Sequence, residues 1–156
     1  MTRGNQPWPD DHDNGEEDRY VDPGSLANEL SYAIIGAAIE VHRTLGAGHL
    51  ERVYEAALAV ELRHRGFAVA TQVPTEVRYR DVVVGQGRID MIVNEWVIVE
   101  VKVVDRLTTL HTVQTLSYLK CTELPLALLI NFQVPILSAG VRRVIPPKSF
   151  NEHGGT

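Results

Sequence analysis

Between Ser25 and Gly48 the chain places Leu30, Ile34, Ala38, Val41 and Leu45 at intervals of three and four. That spacing puts apolar side chains on one stripe of an α-helix. Gly46 and Gly48 stop it, because glycine adopts the left-handed backbone that closes a helix. In HLERVYEAALAVELRHRG, Leu50, Val53, Ala57, Leu58 and Leu62 recur on one face, with Gly66 as the stop. From Phe67 the period changes to two. FAVATQV, TEVRYR, RIDMIV and WVIVEVKVV alternate between faces and are separated by Pro74, Asp81, Gly85, Gly87 and the pair Asn94 and Glu95. They predict a run of antiparallel strands. A helix from about Thr108 to Cys121, the apolar strand LPLALLINF and a short edge strand around GVRRVI, ended by Pro146 and Pro147, complete the chain. The order ααβββ(β)αβ(β) predicts an α/β fold with an α+β-type mixed sheet flanked by helices.

Composition narrows this to one ordered domain. The chain has 156 residues, 44% apolar and 22% charged, enough to bury a core and too apolar for general disorder. Residues 1–24 are the exception. Rich in Asp, Glu, Asn, Pro and Gly, they predict a disordered acidic tail, followed by a domain over 25–147 and a flexible C-terminus over 148–156. The net charge of -5 resides in that tail: residues 1–25 hold seven acids and two arginines, and the remainder is balanced. A neutral domain lacks the basic footprint of a dedicated duplex-DNA binder, whose non-specific affinity comes from phosphate neutralisation. Cys121 is the single cysteine, which excludes an intrachain disulfide and fits a reducing compartment. The opening MTRGNQPWPDDHD lacks the apolar segment of a secretory signal, and no stretch approaches the ~20 apolar residues that span a bilayer. The expected location is the cytoplasm, with no membrane partner.

Candidate chemistry starts in WVIVEVKVV, where Trp96, Ile98, Glu100 and Lys102 share one face and Val97, Val99, Val101 and Val103 the other. By itself, a bare E-x-K string reads as the solvated face of a half-covered sheet. Asp90 changes the balance. It interrupts RIDMIV between Ile89 and Met91, and an unpartnered buried carboxylate costs several kcal/mol. A divalent cation shared with Glu100 would offset that cost. In the helix that follows, His111, Gln114 and Tyr118 form a polar stripe opposite Val113 and Leu116, which ordinary amphipathicity also explains. Glu51 and Tyr54 lie three apart on the second helix, where the helix dipole by itself favours an acid.

The spacing also constrains the register. A two-residue turn at Asn94 and Glu95 would set Val93 opposite Trp96 and Asp90 opposite Val99, on the wrong face for Glu100. Because Asp90 and Glu100 are an even number of residues apart, they share a face only across an odd-numbered connection or a bulge. A loop of three or five residues around Asn94, or a bulge nearby, is therefore expected.

Taken in order, Gly48, Glu51 and Tyr54 in GHLERVY, then RID, VIVEVK, HTVQTLSYLK and LLINF, resemble the GxxExxY family over residues 28 to 146. That family is similar to the PD-(D/E)xK nuclease superfamily. The resemblance implies a restriction-endonuclease-like core in which Asp90 and Glu100 bind Mg²⁺ (or Mn²⁺), with the Val101 carbonyl completing the site. It implies that Lys102 acts beside them, that Glu51 is the additional acid of the first core helix, and that Gln114 is the glutamine found after the E-x-K strand. Tyr54, His111 and Tyr118 are supporting residues in this reading. Ile89 stands where the wider superfamily has proline. The implied activity is Mg²⁺-dependent phosphodiester hydrolysis with nucleic acid as partner. A catalytically inactive binding or regulatory module is the alternative, and a homodimer with an interaction surface is a third reading.

Overall fold

The structure is a computed structural model that describes residues 20–152. Residues 1–19, most of the expected acidic tail, lie outside the described residues, as do residues 153–156. The elements run α1 (Ser25–Leu45), α2 (Glu51–His64), β1 (Val69–Tyr79), β2 (Val82–Val93), β3 (Val97–Lys102), α3 (Thr109–Thr122), β4 (Leu126–Asn131), a 3₁₀ turn (Leu137–Gly140), β5 (Val141–Val144) and α4 (Ser149–Glu152).

The apolar stripe of α1 is buried through Ile34, Ala38 and Val41, and the helix closes at Gly46, whose φ of 71° is a glycine conformation. In α2 the buried stripe is Tyr54, Leu58 and Leu62, with Ala59 beside it. Leu50 and Val53, expected on that face, are exposed. Leu50 is the N-cap rather than a helical residue, and Tyr54 takes the inward direction that Val53 was expected to take.

The period-two region condenses into three strands. FAVATQV and TEVRYR form the single strand β1, in which Pro74 faces Arg88. Proline is tolerated there because β1 is the edge of the sheet, where one side of the strand needs no donor. Gly85 and Gly87 lie within β2. The β1–β2 turn is Arg80 and Asp81, both at positive φ, as a two-residue hairpin that follows strand twist requires.

The five strands are ordered β1-β2-β3-β4-β5. β1, β2 and β3 pair antiparallel as expected, β4 joins β3 in parallel after the α3 crossover, and β5 returns antiparallel. One core lies between the sheet and α1 and α2, built on Val97, Val99, Val101, Leu126, Leu128 and Ile130. A second lies under α3, where Ile98, Ala127 and Leu129 meet Leu116 and Leu119. Alternation along β3 therefore assigns Glu100 and Lys102 to the α3 side. At the chain ends, Tyr20 bridges to Pro147 and the Val21 N–H donates to the Pro146 carbonyl at 3.3 Å. Among the described residues no helix is long and apolar enough to cross a membrane.

Candidate metal centre

Val93 pairs with Val97, so β2 and β3 are joined by three residues, Asn94, Glu95 and Trp96. Asn94 and Glu95 both have positive φ, and the Trp96 N–H donates to the Val93 carbonyl at 3.0 Å. Asn94 anchors the turn to the start of β1: its N–H donates to the Ala68 carbonyl at 2.8 Å, and its Oδ1 accepts from the Ala68 N–H at 2.9 Å. The connection is odd-numbered, as the register argument requires. Met91 then faces Val99, and the next position sets Asp90 against Glu100.

At that position side chains replace the backbone ladder. The Asp90 N–H donates to Glu100 Oε1 at 2.9 Å, and the Val101 N–H donates to Asp90 Oδ2 at 2.8 Å. Backbone pairing between β2 and β3 ends at Met91 and Val99, while β3 continues to Lys102 against β4. The two carboxylates are thereby locked to each other's strand, each held by an N–H that a carbonyl would otherwise take.

Their charges are under-compensated. Glu100 is only 4% exposed. Burial, and then the neighbouring Asp90 charge, push its carboxyl up to about 8, against the Asp90 N–H and Lys102, which favour ionisation. Asp90 is also raised, chiefly by burial and further by Glu55, with the Val101 N–H and Lys102 opposing. Lys102 Nζ stands 4.0 Å from Glu100 Oε2, beyond hydrogen-bond range. Tyr118 closes the α3 side. Its phenol is raised by burial and then by Glu100 and Asp90, and a methyl placed on Gly87 would lie 3.7 Å from its ring.

The other residues singled out from the sequence fall in different places. Glu51 is exposed in the first turn of α2. The acid of that helix whose charge bears on Asp90 is Glu55, one turn later. Sequence reasoning missed Glu55, although the i, i+4 relation to Glu51 put it in view. His111 completes a capping box: its Nδ1 accepts from the Thr108 N–H at 3.0 Å, and its own N–H donates to Thr108 Oγ1 at 3.5 Å. Gln114 is exposed on α3. The polar stripe expected there is not a face of its own. Tyr118 packs inward on the same core as Leu116, while Val113 is exposed.

Tyr54 is fully buried and stacked on Phe132 at 4.6 Å, and its hydroxyl donates to the Gly46 carbonyl at 2.5 Å and accepts from the His49 N–H at 3.3 Å. It therefore ties down the α1–α2 turn. Tyr54→Phe is expected to cost about 1–2 kcal/mol, the penalty for stranding two partly buried backbone groups. Thermal denaturation would register this as a lowered Tm, with metal binding unchanged.

Among the described residues no three His, Cys, Asp or Glu side chains converge on one point. The side-chain donors at the centre are thus two carboxylates, a set that suits Mg²⁺, which is commonly held by one or two carboxylates and keeps several waters. Hard oxygen donors with surplus negative charge in a half-buried place fit such an ion. An open groove of about 820 Å³, lined in part by Val73, Ile92, Thr122 and Leu124, lies on the β1–β2 side and contains none of these charged residues.

The profile of the PD-(D/E)XK nuclease superfamily matches residues 28–144, a span that includes Asp90, Glu100 and Lys102. The chain belongs to that superfamily, and its mixed five-stranded sheet with flanking helices is the superfamily's restriction-endonuclease-like fold. No curated protein and no solved structure matches it.

Proposed function

We propose that the protein is a Mg²⁺-dependent nuclease of the GxxExxY type that hydrolyses phosphodiester bonds in nucleic acid. The observation that carries this reading is the three-residue connection that sets Asp90 against Glu100, with Lys102 two positions along the same strand face. Asp90, Glu100 and the Val101 carbonyl would hold the ion, and Mn²⁺ suits the same oxygen donors. When bound, such an ion polarises a phosphoryl oxygen and lowers the pKa of a water molecule. Lys102 supplies a mobile positive charge that orients water or steadies charge developing on phosphate. The Val101 and Asp90 N–H groups keep the two carboxylates in place before any ligand arrives. The cytoplasm, with its reducing conditions, suits a chain with one exposed thiol.

A second reading, a nuclease fold used for binding or regulation, is favoured by the charge balance of residue 26 onward, which offers duplex DNA little non-specific attraction. Calorimetric titration with Mg²⁺ and Mn²⁺ separates the two. The wild type is expected to bind, and Asp90→Asn to give no signal, because the substitution removes the charge of one of only two side-chain ligands. Absence of binding by the wild type overturns the nuclease reading.

A further inference from the structure

Away from Met91 the sheet narrows to two strands. β3 pairs with β2 only at Met91, Ile92 and Val93, whereas β1 and β2 stay paired from there out to Tyr79 and Val82. The ribbon so formed touches α3 through the Glu76 carbonyl, which accepts from Cys121 Sγ at 3.7 Å, and at Gly87, where an added methyl would lie 3.7 Å from the Tyr118 ring. Past those points its apolar side chains stand in solvent. Val77, Tyr79, Val82, Val83 and Val84 are all exposed, Tyr79 to 66%. Large apolar groups crowded into so short a stretch form an uncovered patch of the kind that marks an interface. A two-stranded ribbon is also marginal in water until it packs against something.

At the base of the same ribbon lies the groove of about 820 Å³, with Ala70, Val73, Ile92 and Leu124 among its apolar lining and Glu95 beside them. Arg63 reaches the same end, donating to the Val69 carbonyl at 3.0 Å. The ribbon cannot fill its own groove. Ala70 and Tyr79 stand at opposite ends of β1, about 30 Å apart along an extended strand, and pairing with β2 keeps them so. A second copy can fill it. A two-fold axis near the middle of β1 runs two ribbons antiparallel and lays each tip over the other's groove, a closed and self-complementary arrangement. The charges agree with it. The tip carries Arg80 and Asp81, both exposed, and the groove end carries Glu95 and Arg63, so each charge at the tip has its opposite across the axis. Pro74, in mid-strand, has no N–H and keeps the two β1 edges from zipping into one continuous sheet. The contact is therefore made by side chains.

We propose that the β1–β2 ribbon is a dimerisation arm, and that the groove at its base is the seat for the tip of a second copy's ribbon. The inference is independent of the metal-dependent reading, because neither patch includes Asp90, Glu100 or Lys102.

Sedimentation equilibrium of the full chain tests it. The wild type is expected to be a dimer at micromolar concentration. Tyr79→Asp at the tip and Ala70→Arg in the groove each replace an exposed residue, and each is expected to weaken association by roughly tenfold or more, with an unchanged circular dichroism spectrum. Mixing the two variants is expected to recover the dimer. One contact then joins an intact tip to an intact groove, and the other sets the introduced carboxylate against the introduced guanidinium. A wild type that stays monomeric, or a dimer that either substitution leaves intact, overturns the proposal. So does a mixture that associates no better than the variants alone, since tips do not then seat in grooves. Val82→Asp and Ala68→Arg, at exposed positions of the same two patches, take the place of a variant that fails to fold.

Discussion

Lys102→Ala is expected to lower the rate of nucleic-acid hydrolysis by about 10²–10³-fold, the usual effect of removing a donor aimed at developing charge, while the affinity for Mg²⁺ stays within a few-fold of wild type. The two halves of this expectation come from different properties of the side chain. An ammonium group has no lone pair and is no metal ligand. Its ion pair with Glu100 is loose, with Nζ 4.0 Å from Oε2, and the side chain keeps 23% exposure. It is anchored at the end of a strand paired to β4 and remains free to approach a phosphate. Its charge also favours the ionised form of Glu100, so the affinity comparison belongs above pH 8, where the lost charge matters least. Cleavage of DNA and RNA by the two proteins, followed on gels beside calorimetry, checks both halves. Full activity in Lys102→Ala would remove its proposed role, and a complete loss of metal binding would show that it supports the ion site structurally.

How much of this was legible in the sequence depended on which period was being read. The stripe of α1 and the alternation of WVIVEVKVV gave the helix stop at Gly46 and the faces of Glu100 and Lys102 directly, since each element buries the side its pattern marks. The odd-numbered β2–β3 connection, one of two alternatives beside a bulge, followed from parity once Asp90 and Glu100 were required to share a face. Punctuation was less reliable. Pro74, Gly85 and Gly87 were read as strand breaks, but they lie inside a two-stranded ribbon at the sheet edge, where a lost donor or a missing side chain is tolerated. Val53 and Val113 are apolar yet exposed, and Tyr54 and Tyr118 carry hydroxyls yet pack inward. Residue type alone assigns such faces poorly when an aromatic ring offers more area to bury. Glu55 was in view through its i, i+4 relation to Glu51, but its contact with Gln72 was not: it joins α2 to β1 through a residue in left-handed backbone, and no spacing rule encodes that. His111 matched a family position, but its ring is engaged in capping α3.

The metal-free protein is expected to lose stability as pH rises from about 5 to 8, and Mg²⁺ is expected to cancel most of the loss. Glu100 sets the sign. Its carboxyl is raised from 4.5 to about 8 in the folded chain, by burial first and the Asp90 charge second. Between those values the folded state holds a proton that the unfolded chain has released, so stability falls with each step of pH. The contribution is complete below about 4.5 and gone above about 8. At about 1.4 kcal/mol per pH unit for one proton, the loss between pH 5 and pH 8 is roughly 3–4 kcal/mol. Asp90, shifted in the same direction, adds to it. A cation supplies the missing positive charge and takes the ionised form of both groups, so the rise in Tm on adding Mg²⁺ should be small at pH 5 and largest near pH 8. Glu100→Gln should flatten the metal-free profile and abolish the Mg²⁺ effect, because the amide neither titrates nor brings charge to the ion. Thermal denaturation across this range, with Mg²⁺ and with a chelator, reads both slopes. A metal-free Tm that climbs from pH 5 to pH 8 would mean that the two carboxylates are already stabilised as anions by the protein alone, with no charge left for an ion to satisfy.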